Sequence, residues 1–243
     1  MLAIFKREVL SFFMTPVGYL IIGFFLILNG LFLWVFKGTF NIFEYGFADL
    51  SNFFLLTPWV FLFLIPAVTM KSFSEEKKAG TLELLFINPL SLRETVYGKF
   101  LGALFLVLIA LIPTLLYGIC ISQLGIIEGN LDWGLIYGSY FGLFFLAMSY
   151  TAIGIFTSAL TENQIVAFIL ALVICFLLYY GFEGASTLFS DGEIIQFIVS
   201  LGMKSHFEGI SRGVLDSRDL IYFLSLTVLF LFFAIVQLKN HSR

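Results

Sequence analysis

The stretch Met70–Phe100, MKSFSEEKKAGTLELLFINPLSLRETVYGKF, divides a chain that is otherwise close to hydrocarbon. It holds nine of the Lys, Arg, Asp and Glu side chains, from a total of 13 basic and 16 acidic residues among 243. The runs on either side, 53 to 70 and 100 to 122, contain no Asp, Glu, Lys, Arg or His. A bilayer needs uninterrupted runs of that length, because its hydrocarbon layer of about 30 Å takes roughly 20 helical residues to cross. The polar stretch therefore reads as a loop between two membrane spans.

Four more uncharged runs give six spans in all, at 17–36, 53–70, 100–122, 134–158, 164–182 and 220–238. With 60% apolar, 19% aromatic and 12% charged residues, the composition belongs in lipid, and a net charge of -3 gives no reason to expect a nucleic-acid partner. The reading is an all-α integral membrane protein, one domain over residues 1–243, with six transmembrane helices, an N-terminal interfacial helix and a further helix between spans two and three. Cys120 and Cys175 lie in apolar runs and read as core packing, with a disulfide left open. No Cys/His spacing suggests a metal site.

Residues 2 to 13 place Leu2, Phe5, Val9 and Phe12 at helical spacing against Lys6, Arg7 and Ser11, as in a helix lying along a membrane surface. Pro16 ends that helix, and the first span, which lacks a cleavage site, reads as retained. Six spans put both termini on one side. With the termini inside, nine Lys and Arg residues face the cytoplasm and four, Lys37, Lys204, Arg212 and Arg218, face out. The basic residues favour the inside, so the quoted stretch is cytoplasmic. Residues 184–219, with the apolar run Ile194–Leu201, read as an outward-facing segment that hugs the membrane.

Within the quoted stretch, Ser72 and Glu75 have the spacing of a capping box, which would start a helix there. Glu75 and Glu76 precede Lys77 and Lys78, the order a helix dipole favours, and Gly80 permits a bend. Leu82, Leu85 and Phe86 suggest a short amphipathic helix, Pro89 breaks it, and Ser91 with Glu94 offers a second capping box to start the third span. Such a segment is either a lever for a cytoplasmic partner or an interfacial anchor. Gly134, Gly138 and Gly142, like Gly98 and Gly102, permit close helix packing, and Pro58, Pro66 and Pro113 are expected to kink spans two and three.

Phe73–Leu85, FSEEKKAGTLELL, resembles the coupling-helix signature of type-2 ABC export permeases. Lys6, Arg7 and Glu8 with Phe12–Pro16 look like that family's N-terminal helix, and Leu160–Gln164, LTENQ, is similar to the segment before its fifth span. Within the family, His206–Asp216, HFEGISRGVLD, resembles the permease subunit of gliding-motility-associated ABC transporters. Lys77 and Lys78 depart from the arginines of many relatives, keeping charge without the planar fork. The resemblance implies a coupling helix that docks into a cytoplasmic ABC ATPase through Glu75, Glu76, Gly80, Thr81 and Glu83, in mechanical and electrostatic roles without catalysis or cofactor. It also implies ATP-driven export, a second permease subunit with a heterodimer favoured over a homodimer, and contact with membrane lipid. The location it implies is the bacterial inner membrane, with both termini cytoplasmic.

Other functions meet obstacles. Gly98-Lys99 is followed by Phe100 and lacks an upstream glycine, so no phosphate loop is present and ATP hydrolysis must come from another chain. An ion-coupled secondary transporter would keep ionisable groups at membrane depth, and the six spans have none, which leaves backbone carbonyls as ion ligands for that alternative. A paired-glutamate protease would want arginine where Gly80 stands, and water should keep both Glu75 and Glu76 ionised. A membrane subunit that assembles a larger machine without transport is the remaining alternative. A membrane-impermeant amine reagent applied to intact cells should leave Lys77 and Lys78 unmodified; labelling from outside would invert the topology.

Overall fold

Proline sets the first corner of the structure. In the computed structural model, which describes residues 1–47, 49–81, 91–125, 131–213 and 216–241, Thr15 is extended at φ -106° and ψ 154°, as a residue before proline tends to be. Helix α1 (Leu2–Met14) therefore stops there, and α2 (Pro16–Gly30) starts with Pro16 in the first turn, where a missing N–H costs nothing. A π-helical turn, Leu31–Val35, completes the first span. The short α3 (Ile42–Tyr45) is capped by Asn41, whose Oδ1 accepts from the amides of Phe43 and Glu44 at 2.9 and 3.3 Å.

Six helical stretches are long and apolar enough to cross a membrane: Pro16–Val35, Ser51–Lys78, Leu92–Leu124, Trp133–Leu160, Gln164–Ser186 and Ser217–Asn240. Each contains the core of an expected span. The second is made of α4 (Ser51–Thr69) and α5 (Lys71–Lys78), and the third of α6 (Leu92–Leu111), a 3-10 turn at Ile112–Thr114 and α7 (Leu115–Leu124). The fourth is α8 (Trp133–Leu160). The fifth joins α9 (Gln164–Phe176), a π-helical turn at Leu177–Gly181 and α10 (Phe182–Ser186). After α11 (Gly192–Val199) and α12 (Met203–Ser211), α13 (Ser217–His241) forms the sixth. The described residues contain no strand.

Helix α8 is the hub. It packs against α4, α5, α6, α9, α12 and α13, and 78% of its apolar window is buried, against 22% for the windows in spans one, five and six. Its Leu143, Leu146, Tyr150 and Ile153 are inaccessible. The peripheral helices instead turn Leu20, Phe24, Ile27, Ile169, Val228 and Phe232 outward, the surface expected of lipid-facing helices.

Glycines mark the closest approaches. A Cβ at Gly98 would lie 2.8 Å from Cβ of Ile4, and one at Gly102 would lie 2.7 Å from Cβ of Glu8, so α1 lies directly on α6. Gly138 and Gly142 face α12, where added carbons would meet the Ile210 carbonyl at 3.3 Å and Ile210 Cγ2 at 3.2 Å. Gly134 stands apart from this seam, its nearest neighbour being Oδ1 of Asp132, the cap of its own helix, at 3.2 Å.

Several expectations need correction. The capping box at Ser72 does not form: Met70 is helical at φ -54° and ψ -31°, and Ser72 is buried inside the helix. Polarity alone suggested an end to span two, whereas the backbone continues for two more turns. On α1 the buried stripe is centred on Ile4, while Leu2 is 70% exposed. Pro113 falls in the 3-10 turn that interrupts span three, and Pro58 and Pro66 lie inside the continuous α4. Cys175 is buried, Cys120 is exposed, and both are free thiols. The amphipathic helix expected at Leu82, Leu85 and Phe86 lies outside the described residues.

The segment between spans five and six is a helix pair. Helix α11 buries nothing, whereas α12 seats Met203, Phe207 and Ile210 in the core. Lys204 donates to Glu183 at 2.5 Å and lies 3.7 Å from Glu208. Burial works to lower the pKa of that ammonium, but the two carboxylates outweigh it and hold it above its ordinary value. Gly98→Ala and Gly102→Ala should each lower stability by about 1–3 kcal/mol through overpacking. Gly23→Ala, where an added carbon meets nothing within 4 Å, should stay within about 0.5 kcal/mol. Thermal unfolding in mild detergent reads the difference.

Candidate functional site

The end of α5 is built around an uncommon feature for a membrane bundle, a buried lysine. Lys99 of α6 is 3% exposed, and its three N–H donors are all used. They go to Glu8 Oε1 of α1 at 3.1 Å, Glu76 Oε1 of α5 at 2.9 Å and the carbonyl of Ser72 at 2.6 Å. The Phe73 ring lies beneath the ammonium at 5.1 Å. Arg7 closes the network from outside, reaching Glu8 at 3.2 Å and Glu76 at 3.1 Å. Burial opposes the charge of Arg7, yet the two glutamates outweigh it and push its pKa further up. Two cations and two anions balance, so the cluster is neutral while it joins three helices.

The opposite face of α5 is tied to α8. The first amides of a helix lack intrahelical partners. Here Ser158 Oγ accepts from the amides of Phe73 and Ser74 at 2.8 and 3.1 Å and donates to the Met70 carbonyl at 3.0 Å. The cap expected from Ser72 is thus supplied by a different helix. Lys77 is buried and donates to the carbonyl of Ala159 at 2.5 Å, a cation at the negative end of α8.

Gly80 is left-handed at φ +67° and terminates α5. Its amide donates to the Lys77 carbonyl at 3.1 Å, and that of Thr81 donates to the Glu76 carbonyl at 3.0 Å. These paired bonds form a Schellman motif, for which glycine carries no steric penalty. The Ser91–Glu94 capping box is present, with Glu94 N–H to Ser91 Oγ at 3.3 Å and Ser91 N–H to Glu94 Oε2 at 3.1 Å.

The residues singled out from sequence therefore separate. Glu75 and Thr81 are exposed, and Gly80 forms the turn between them and the next segment. Glu76 points inward, and its Oε2 is covered by protein without any hydrogen-bond donor, so the two glutamates do not share a watery environment. Glu83 lies outside the described residues. Sequence reasoning missed Lys99, Ser158 and the part played by Arg7 and Glu8. Lys99 stood just before the expected third span, and the glycines on either side of it, Gly98 and Gly102, were the signal that another helix lies close.

The fold and this platform define a polytopic helical membrane domain in which the second span continues into an anchored polar helix, α5. A family model described as ABC-2 family transporter protein matches residues 37–241, and the chain belongs to that family. Comparison with curated proteins gives no match. The chain is thus a membrane permease subunit of an ABC transporter, its matched domain a transmembrane component and not an ATP-binding one, and membership implies a cytoplasmic ABC ATPase as partner. Helix α1, with Arg7 and Glu8, precedes the matched residues.

Lys99→Met should cost about 3–5 kcal/mol, because it leaves Glu8 and Glu76 facing each other in a covered site without their cation. Ser158→Ala should cost about 1–3 kcal/mol by stranding two amides. Both losses are measured as lowered thermal stability of the detergent-solubilised protein.

Proposed function

We propose that this permease couples ATP hydrolysis on a separate cytoplasmic ABC ATPase to substrate export, with α5 and the Gly80 turn as the transmitting element. The observation that carries the reading is the double anchoring of α5. Lys99 ties it to α1 and α6, and Ser158 and Lys77 tie it to α8. A force on its free tip is passed to three other helices and not absorbed by a flexible loop.

The proposed roles of the described residues follow from exposure. Glu75 and Thr81 offer charge and a hydroxyl at the surface, Gly80 sets the angle of the tip, and Glu76 transmits through the Lys99 cluster. Glu83, outside the described residues, is assigned to the ATPase contact on the family resemblance alone. The termini are cytoplasmic in this reading, which puts α1 and α5 on the ATPase side of the bacterial inner membrane. In this reading the six helices are one half of a transporter, completed by a second permease subunit, preferentially a different chain. A role in gliding motility or secretion rests on the resemblance of His206–Asp216.

Glu75→Lys combined with Gly80→Pro alters the tip while sparing the Lys99 cluster. Proline loses the amide that bonds the Lys77 carbonyl and cannot adopt positive φ. The expected outcome is normal membrane insertion with at least about a tenfold loss of ATPase co-purification, equivalent to about 1.4 kcal/mol. Unchanged assembly and ATP-dependent turnover in proteoliposomes would sink the assignment.

A further inference from the structure

A cleft of about 540 Å³ opens between α1 and the α4–α5 junction. Along the continuous helix that forms one wall, Val68, then Lys71 and Ser72, then Glu75 and Glu76, then Ala79 line the cleft. At 1.5 Å per residue these positions stack one turn above another, and Lys71 stands about 6 Å from Glu75 along the axis. The order leading away from the membrane is apolar, cationic, anionic. The facing wall runs from Phe12, which packs with Val68, Ala103 and Leu106, through Ser11 to Arg7 and Glu8, and Val17 closes the floor.

The charges in this cleft are not all engaged. Lys71 and Glu75 are exposed and take part in no ion pair among the described residues. Arg7 engages its glutamates through Nη2 alone, and Glu76 Oε2 lacks a donor. A simple anion at Lys71 would face Glu75, and a simple cation at Glu75 would face Lys71. A ligand that carries both charges in the same order satisfies both.

We propose that the cleft holds one inner-leaflet phospholipid whose zwitterionic headgroup ends in a primary ammonium, as in phosphatidylethanolamine. Its acyl chains lie over Phe12, Val17 and Val68. Its phosphate sits at Lys71 and Ser11, within reach of the unengaged Arg7 nitrogens. The ammonium, two methylene groups farther on, meets Glu75. A quaternary ammonium has no N–H to give, and a glycerol headgroup brings no cation, so both alternatives lose the charge-assisted bond.

Native mass spectrometry of the full-length permease in mild detergent, with phosphatidylethanolamine, phosphatidylcholine and phosphatidylglycerol supplied in equal amounts, tests this directly. One phosphatidylethanolamine per chain should be retained, with roughly a tenfold preference over either competitor. Glu75→Gln should erase the preference over phosphatidylglycerol, and Lys71→Glu should abolish retention. Both side chains are exposed and unpaired, so thermal unfolding should be unchanged in either variant. Equal retention of the three lipids, a preference for phosphatidylglycerol, or undiminished phosphatidylethanolamine in both variants would overturn the proposal. So would a photo-cross-linker at Ser11 that captures a protein chain and no lipid.

Discussion

A buried ammonium is tolerable only when every one of its protons has an acceptor, and that requirement organises the end of the bundle where α1, α5 and α6 meet. Lys99 finds its acceptors on α1 and α5, at Glu8, Glu76 and the Ser72 carbonyl. These three bonds fix the relative register of α1, α5 and α6, since sliding any one helix by a turn would leave the charge uncompensated. The close approach this demands is possible because Gly98 and Gly102 present bare backbone to α1. Charge and packing impose the same arrangement, which is how a local sequence specifies a single geometry.

From this cluster the connections run through α8 to the other side of the bundle. Ser158 and Lys77 hold α5 against the end of α8, and the same long helix contacts α12 through Gly138 and Gly142. Near its middle, Ser149 bonds the Phe223 carbonyl of α13 at 3.2 Å. One continuous helix of 28 residues thus joins the platform around Lys99 to the helix pair between spans five and six. The proposed coupling needs such an element, because a displacement at the tip of α5 reaches the far side only through structure too stiff to absorb it.

Much of this architecture was legible in the order of residues. Spans longer than a bilayer is thick cannot hide, and Ser91 with Glu94 and Gly80 acted through purely local bonds that the sequence encodes directly. What escaped depended on distant partners. Ser72 and Ser158 are both serines beside helix ends, and nothing local says that the amides of α5 are received by a residue 85 positions away. Glu75 and Glu76 are adjacent and chemically identical, yet only the second turns inward, because Lys99 waits on that side. Gly134 continued the spacing of Gly138 and Gly142 but lies beyond the contact with α12. Periodicity gave the face of the helix without the length of the seam.

The distribution of polarity inside the bundle bears on how it can move. Charged groups gather at the ends, while the spans carry hydroxyls that mostly bond their own helix, as Thr57 does to Phe53, Thr69 to Ile65 and Thr151 to Ala147. Away from those ends, the bonds between spans among the described residues are neutral, such as Thr114 with Tyr140 at 3.0 Å and Ser149 with Thr227 at 3.3 Å. Interhelical hydrogen bonds of this kind average only about 0.6 kcal/mol in a membrane, whereas breaking a buried charge network costs about 3–5 kcal/mol. Hydrogen bonding therefore holds the helices in the middle of the bundle less tightly than it holds the platform around Lys99. A conformational cycle of the kind proposed would move the platform as a unit and repack the spans above it.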